Sequence, residues 1–189
     1  MGRPYKHFIP GNINRRSFLK GSAALAASGT FPQLIHASTG QSSERTLGFI
    51  NLHTDETLRC CYWANGEYDL NSLNEINHIL RDHRTNDIYD MDANLIDLLH
   101  NLHEITGSKS PFHIISAYRS PKTNEKLRQT SNGVAKRSLH LQGKAIDIRL
   151  PDVGLKHLRD AAISLKAGGV GYYAKSNFIH IDTGKPRSW

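Results

Sequence analysis

Ser138, His140, Gly143, Ala145 and Asp147 are spaced as S-x-H-x-x-G-x-A-x-D, and a His-x-Asp pair, His180 and Asp182, follows further along the chain. Two imidazoles and one carboxylate, with a fourth position left to water, are the donors of a catalytic rather than a structural zinc site. The same donors also suit iron or cobalt. Zinc, expected at one ion per chain, lowers the pKa of bound water to about 7 and polarises a carbonyl. A carboxylate within hydrogen-bond reach then moves the proton. Such a site hydrolyses amide bonds without a covalent intermediate. Neither a G-x-S-x-G turn nor a Cys–His pairing argues for a covalent route.

Strand alternation is what would aim these side chains at one point. On an extended segment Phe178, His180 and Asp182 share one face, while Ile179 and Ile181 share the other. Ala145, Asp147 and Arg149 alternate in the same way with Ile146, Ile148 and Leu150. His140 stands just before Gly143, where the backbone can turn into the second of these strands. The isoleucines would enter a core and the polar residues a cleft. His53, His78, His83, His100, His103, His113 and His157 lie outside any such pattern and are read as ordinary surface histidines.

The remaining periodicities supply the elements around that cleft. Segments 46–53 and 57–64 are apolar and aromatic and flank a polar turn, as in a β-hairpin, and Asn65-Gly66 turns the chain again. Helical spacing covers 70–83 and then 92–106, where Leu95, Ile96, Leu98, Leu99, Leu102 and Ile105 form an apolar face and Gly107 stands at the stop. A strand over 112–118 precedes a helix opened by Ser120-Pro121 and running to Gln129, followed by a polar loop over 130–138. After the strand over 144–150, Asp152 is placed to cap a helix reaching Ala167, and strands over 169–173 and 177–182 complete the pattern. The expectation is an α+β domain with a small, largely antiparallel sheet and flanking helices. Cys60 and Cys61 are adjacent in an apolar strand, where a disulfide between neighbours has poor geometry, and are read as packing residues.

The first 37 residues belong to a different argument. Paired Arg15 and Arg16, then Phe18, Leu19 and Lys20, lead into an alanine-rich run broken by Ser28, Gly29, Thr30 and Pro32 and ending at Ala37. A basic leader, a short apolar core and a small cleavage residue make an export signal, and the paired arginines specify the twin-arginine route to the periplasm. The run is too short and interrupted to span a bilayer, which takes about 20 apolar residues. Segment 38–45 is polar and reads as a linker to a domain over 46–189. The leader holds five of the 24 Lys and Arg and no acid, so 19 face 17 acids in the rest and the net charge falls from +7 to +2. The basic balance therefore gives no warrant for nucleic-acid binding. With the leader removed no membrane span is expected, roughly 150 residues suit one domain with one core, and a monomer is expected.

The zinc motif, preceded by Ser116-Ala117-Tyr118-Arg119-Ser120 and followed by His-x-Asp, resembles the D-alanyl-D-alanine metallopeptidase family of VanX-type and VanY-type enzymes. Segments 169–173 and 178–184 are similar to its exported murein endopeptidase subgroup. The resemblance implies His140, Asp147 and His180 as metal ligands and Arg119 as the contact to the scissile carbonyl or its tetrahedral intermediate. It implies peptidoglycan as partner and substrate, with cleavage of cross-links, notably between two diaminopimelate residues, during wall growth and remodelling. One departure bears on the mechanism. Family members place an acidic base three residues before the last His ligand, or in lysostaphin-type relatives a His two before it, and here those positions hold Asn177 and Phe178. Asp182 is the replacement candidate for the general base. A second register makes Asp182 the ligand and His180 the base. A D,D-carboxypeptidase trimming stem peptides and a non-catalytic zinc-binding wall module stay open as alternatives.

Overall fold

The computed structural model describes residues 44–130 and 134–189, so the export leader and most of the segment read as linker lie outside the described residues. Eight strands form one sheet: β1 (Glu44–Asn51), β2 (Thr57–Ala64), β3 (Glu67–Tyr68), β4 (Phe112–Ser116), β5 (Ala145–Arg149), β6 (Gly169–Tyr173), β7 (Phe178–Asp182) and β8 (Arg187–Ser188), in the order β3-β2-β1-β4-β5-β7-β6-β8. Most pairings are antiparallel, while β1 runs parallel to β4 and β6 parallel to β8. The helices are α1 (Leu70–Ile79), α2 (Ala93–Thr106), α3 (Pro121–Thr130) and α4 (Leu155–Ser164). The fold is α+β, as the periodicities imply.

Alternation decides which sheet face is covered. Leu47, Phe49, Phe112, Ile114, Ile146, Ile148, Val170, Ile179 and Ile181 share one face through the strand registers and are all buried. Against them pack Ile76 of α1, Leu95, Leu99 and Leu102 of α2 and Leu158 of α4. Each such side chain contributes roughly 1.5–3 kcal/mol on burial, so this face holds the domain together and the opposite face of β5, β6 and β7 is left for chemistry.

Several boundaries differ from the periodic reading, each for a local reason. β1 reaches back to Glu44, the first described residue, inside the segment read as linker; Arg45 there pairs with Asp97 of α2 at 2.7 Å and is held in register with Trp63. α1 stops at Ile79 rather than continuing to His83. The chain there winds around buried Asp82, which accepts from the backbone N–H groups of Arg84 and Ser120 and from the Ser120 hydroxyl. Asp152 does not cap α4; it accepts from the Ser108 hydroxyl and the Lys109 N–H, and Gly154 takes the cap position instead. Ile105 lies on the outer side of α2 and is exposed. The two-residue strands β3 and β8 are too short to leave a periodic signal.

Candidate metal centre

Three rows of side chains cross the uncovered face of β5, β7, β6 and β8. In the first, Ala145 lies opposite Asp182, and Gly169 lies opposite Arg187. In the second, Asp147 faces His180, which faces Gly171, and Trp189 lies over that glycine. In the third, His113 of β4 faces Arg149, and Phe178 stacks on Tyr173 with ring centroids 4.6 Å apart. The two glycines of β6 make the arrangement possible. A Cβ on Gly169 would stand 2.3 Å from Arg187 Nη1, and one on Gly171 would stand 2.7 Å from the Trp189 ring. Any side chain there would fill the space through which Arg187 and Trp189 reach over the sheet.

The second row holds the donors. His140 arrives from a 3-10 turn, Leu139–Gln142, whose first N–H groups are capped by Ser138 and which ends at Gly143 with φ 64°. No other residue fits at Gly143, since a Cβ would come within 2.5 Å of the Asp90 carbonyl. His140 Nε2, Asp147 Oδ1 and His180 Nδ1 then converge: 3.2 Å between the two nitrogens, 3.4 Å from His140 to Asp147 and 2.9 Å from His180 to Asp147. Both imidazoles have their outer nitrogen committed. The Ala117 carbonyl accepts from His140 Nδ1–H at 2.7 Å, and Asp182 Oδ2 accepts from His180 Nε2–H at 3.0 Å. An outer N–H fixed by an acceptor leaves the inner lone pair for a metal. His140 and Asp147 are buried, 3% and 7% exposed. Burial opposes ionisation of Asp147, yet the neighbouring His140 and His180 hold its carboxyl far below the ordinary range. Burial likewise opposes charge on His180, but Asp147 and Asp182 outweigh it and raise its pKa. Lone pairs and a carboxylate this close, in a buried place, could hold a cation.

The family described as peptidoglycan L,D-endopeptidase MepK, a peptidase M15 family, matches residues 39–189. The chain belongs to that family. The MepK peptidoglycan L,D-endopeptidase of Escherichia coli strain K12 is 42% identical over 179 residues, covering 94% of this chain and 98% of the relative. A Haemophilus influenzae protein described as a probable MepK is 39% identical over 184 residues, covering 93% and 95%. A twin-arginine translocation signal sequence matches residues 12–32, and the protein is exported by that route. No helix among the described residues is long and apolar enough to cross a membrane.

Within this MepK-family site the other expected residues separate. Arg119 follows β4 and lies in the same cleft of about 360 Å³, with Nη2 3.9 Å from Asp147 Oδ2. Its backbone is held by N–H donation to the His140 carbonyl, and its neighbours Tyr118 and Ser120 by donation to Leu80 and Asp82. Its side chain is under-used: Nη1 reaches Asn124 only at 3.5 Å, and Nε is buried without a partner. Burial lowers its pKa against the pull of Asp147.

Asp182 does not have the surroundings of a general base. It is fully buried, Oδ1 accepts from the N–H groups of Gly169 and Gly184 and from Arg187 Nη1, and Oδ2 accepts from Arg187 Nη2 at 2.6 Å and from His180. Those bonds overcome burial and depress its pKa far below the carboxylate range. No lone pair remains for a water proton. Asn177, where relatives of VanX type carry an acid, has φ 54°, a left-handed conformation that asparagine tolerates, and it is exposed outside the cleft. Arg187, Trp189 and Tyr173 were not singled out by spacing; two glycines one residue apart on β6 were the available signal, since alternate glycines on a strand mark a close approach.

Proposed function

We propose that the protein is a periplasmic zinc endopeptidase that opens peptide cross-links of peptidoglycan, with His140, Asp147 and His180 as ligands. The observation that carries this is the convergence of three ligand atoms whose outer partners fix both imidazoles. Donors 2.0–2.1 Å from a tetrahedral zinc stand about 3.3 Å from one another, and separations of 3.2, 3.4 and 2.9 Å fit that spacing. When bound, zinc supplies a Lewis acid and lowers the pKa of water to about 7. The residues of the chain do the rest. Arg119 brings loosely paired guanidinium donors to the edge of the cleft, where they hold the scissile carbonyl oxygen and gain strength as negative charge develops on it. Asp182 positions His180 by accepting its Nε2–H, and Arg187 keeps Asp182 ionised. Asp147 and Asp182 are the carboxylates lining the cleft among the described residues. Trp189 and Phe178 wall the cleft with apolar surface that limits solvent around the scissile bond. The leader over 1–37 is removed on export, leaving the enzyme free of the membrane.

The test is chromatography of muropeptides after the mature, zinc-loaded protein has acted on cross-linked sacculi. Loss of dimers with matching gain of monomers is expected, and the dimers consumed identify the bond. Unchanged dimers with shortened stems would make it a carboxypeptidase. Unchanged muropeptides, with zinc bound, would refute the enzymatic reading.

A further inference from the structure

Arg149 has an arrangement that the hydrolytic step does not use. It lies two residues beyond Asp147 on the same face of β5, about 7 Å along the strand, and directly opposite His113 of β4. Both line a cavity of about 430 Å³, bounded by Pro151, Val153 and Asn177, where β5 ends. No acid lies within ion-pair distance of Arg149 among the described residues, and none of them makes a side-chain hydrogen bond to its guanidinium. Two basic side chains directly opposite each other on neighbouring strands repel when both are charged. Burial, and then the charge of Arg149, lower the pKa of His113 and favour its neutral ring. Its Nδ1 is buried without a partner. A buried ring nitrogen is better left as a lone pair than as an orphaned N–H, which places the proton on Nε2. The cavity thus presents a guanidinium fork and an imidazole N–H, two kinds of donor and no acceptor of opposite charge.

We propose that Arg149 and His113 form a carboxylate-binding subsite that holds a free carboxyl group of the peptide substrate beside the scissile bond. Guanidinium pairs bidentately with carboxylate. An extended peptide advances about 3.4 Å per residue, so a subsite some 7 Å from Asp147 receives a group within two residues of the bond attacked. This rests on the endopeptidase reading and adds to it a substrate requirement: the chain carries a free, unamidated carboxyl at that position.

The test compares zinc-loaded wild type and Arg149→Gln on cross-linked muropeptide dimers with free carboxyl groups and on the same dimers after conversion of those groups to amides. Loss of a charge-assisted hydrogen-bonded pair is expected to raise KM about tenfold, with kcat changed less than about twofold. Amidation should raise the wild-type KM by a similar factor and add little to the penalty of Arg149→Gln, because both remove the same contact. Arg149→Lys, which keeps the charge without the fork, should fall between. Equal penalties of Arg149→Gln on both substrates, or no penalty on either, would overturn the subsite. Failure of the wild type to cut any dimer would instead refute the endopeptidase reading, and the subsite with it.

Discussion

Asp182→Asn separates two roles that one carboxylate could play beside His180. The substitution keeps the volume and removes the charge from a fully buried group that accepts from two backbone N–H groups, both Arg187 donors and His180. Breaking a buried ion pair by removing one partner costs about 3–5 kcal/mol. Here the Arg187 side chain is 45% exposed and water recovers part of that, so about 2 kcal/mol is expected, a fall in Tm of roughly 4–8 °C for a domain of this size. The larger effect is on the imidazole. The asparagine carbonyl is claimed by Arg187 and the backbone, which turns its NH2 toward His180 Nε2. That nitrogen must then accept, and its proton moves to Nδ1, the atom that faces His140 and Asp147. A ligand in the wrong tautomer loses metal affinity, by about 100-fold at the upper end of such outer-partner effects. Zinc affinity measured by chelator competition, alongside kcat at saturating zinc, reads this directly. The expected result is a Kd raised about 100-fold with most of kcat recovered when zinc is in excess. Wild-type zinc affinity with kcat lowered at saturation would refute the positioning role and restore Asp182 as a proton carrier.

His140→Ala removes a donor whose loss leaves the isoleucine face intact, so metal and muropeptide cleavage should both be lost while far-ultraviolet circular dichroism is retained; full activity on sacculi would end the site assignment. Gly171→Ala places a methyl group 2.7 Å from the Trp189 ring, so the ring should swing off His180, changing tryptophan fluorescence and lowering kcat/KM about tenfold, with zinc affinity unchanged. Asp82 is buried, and although burial opposes its ionisation, bonds from Thr123, Arg84 and Ser120 lower its pKa to about 2 from an ordinary 3.8. A depressed carboxylate stabilises the fold above its unfolded pKa and loses that contribution as pH falls through its folded one, so about 2 kcal/mol present above pH 4 should vanish toward pH 2. Urea unfolding of wild type and Asp82→Asn at pH 6 and pH 2.5 should show the gap between them closing in acid.

The convergence of His140, Asp147 and His180 was legible because each residue satisfies two conditions at once. Asp147 and His180 sit between isoleucines, so alternation alone turns them away from the core, and His140 precedes a glycine that the turn requires. The role of Asp182 was not legible, because alternation names a face and not the partners on it. Its partner Arg187 comes from a strand of two residues, below the length at which a period exists, and reaches Asp182 only because Gly169 lacks a side chain. α1 was read too long for a related reason: the apolar spacing ends at Leu80, and what stops the helix is the hydrogen bonding of Asp82 to residues 38 positions away, a contact without a local signature. The parallel pairing of β1 with β4 is equally non-local, since the intervening helices carry the crossover.

Arg187 and Trp189 follow every other residue of the site in the chain, so a growing polypeptide carries the core face long before it carries a finished cleft. The twin-arginine route moves proteins across the membrane already folded. Donors that enclosed a cation as the fold completes would therefore meet it in the cytoplasm, before the wall is in reach. On the zinc reading, the ion at work in the periplasm would be set by the metal supply of the compartment in which the chain is made.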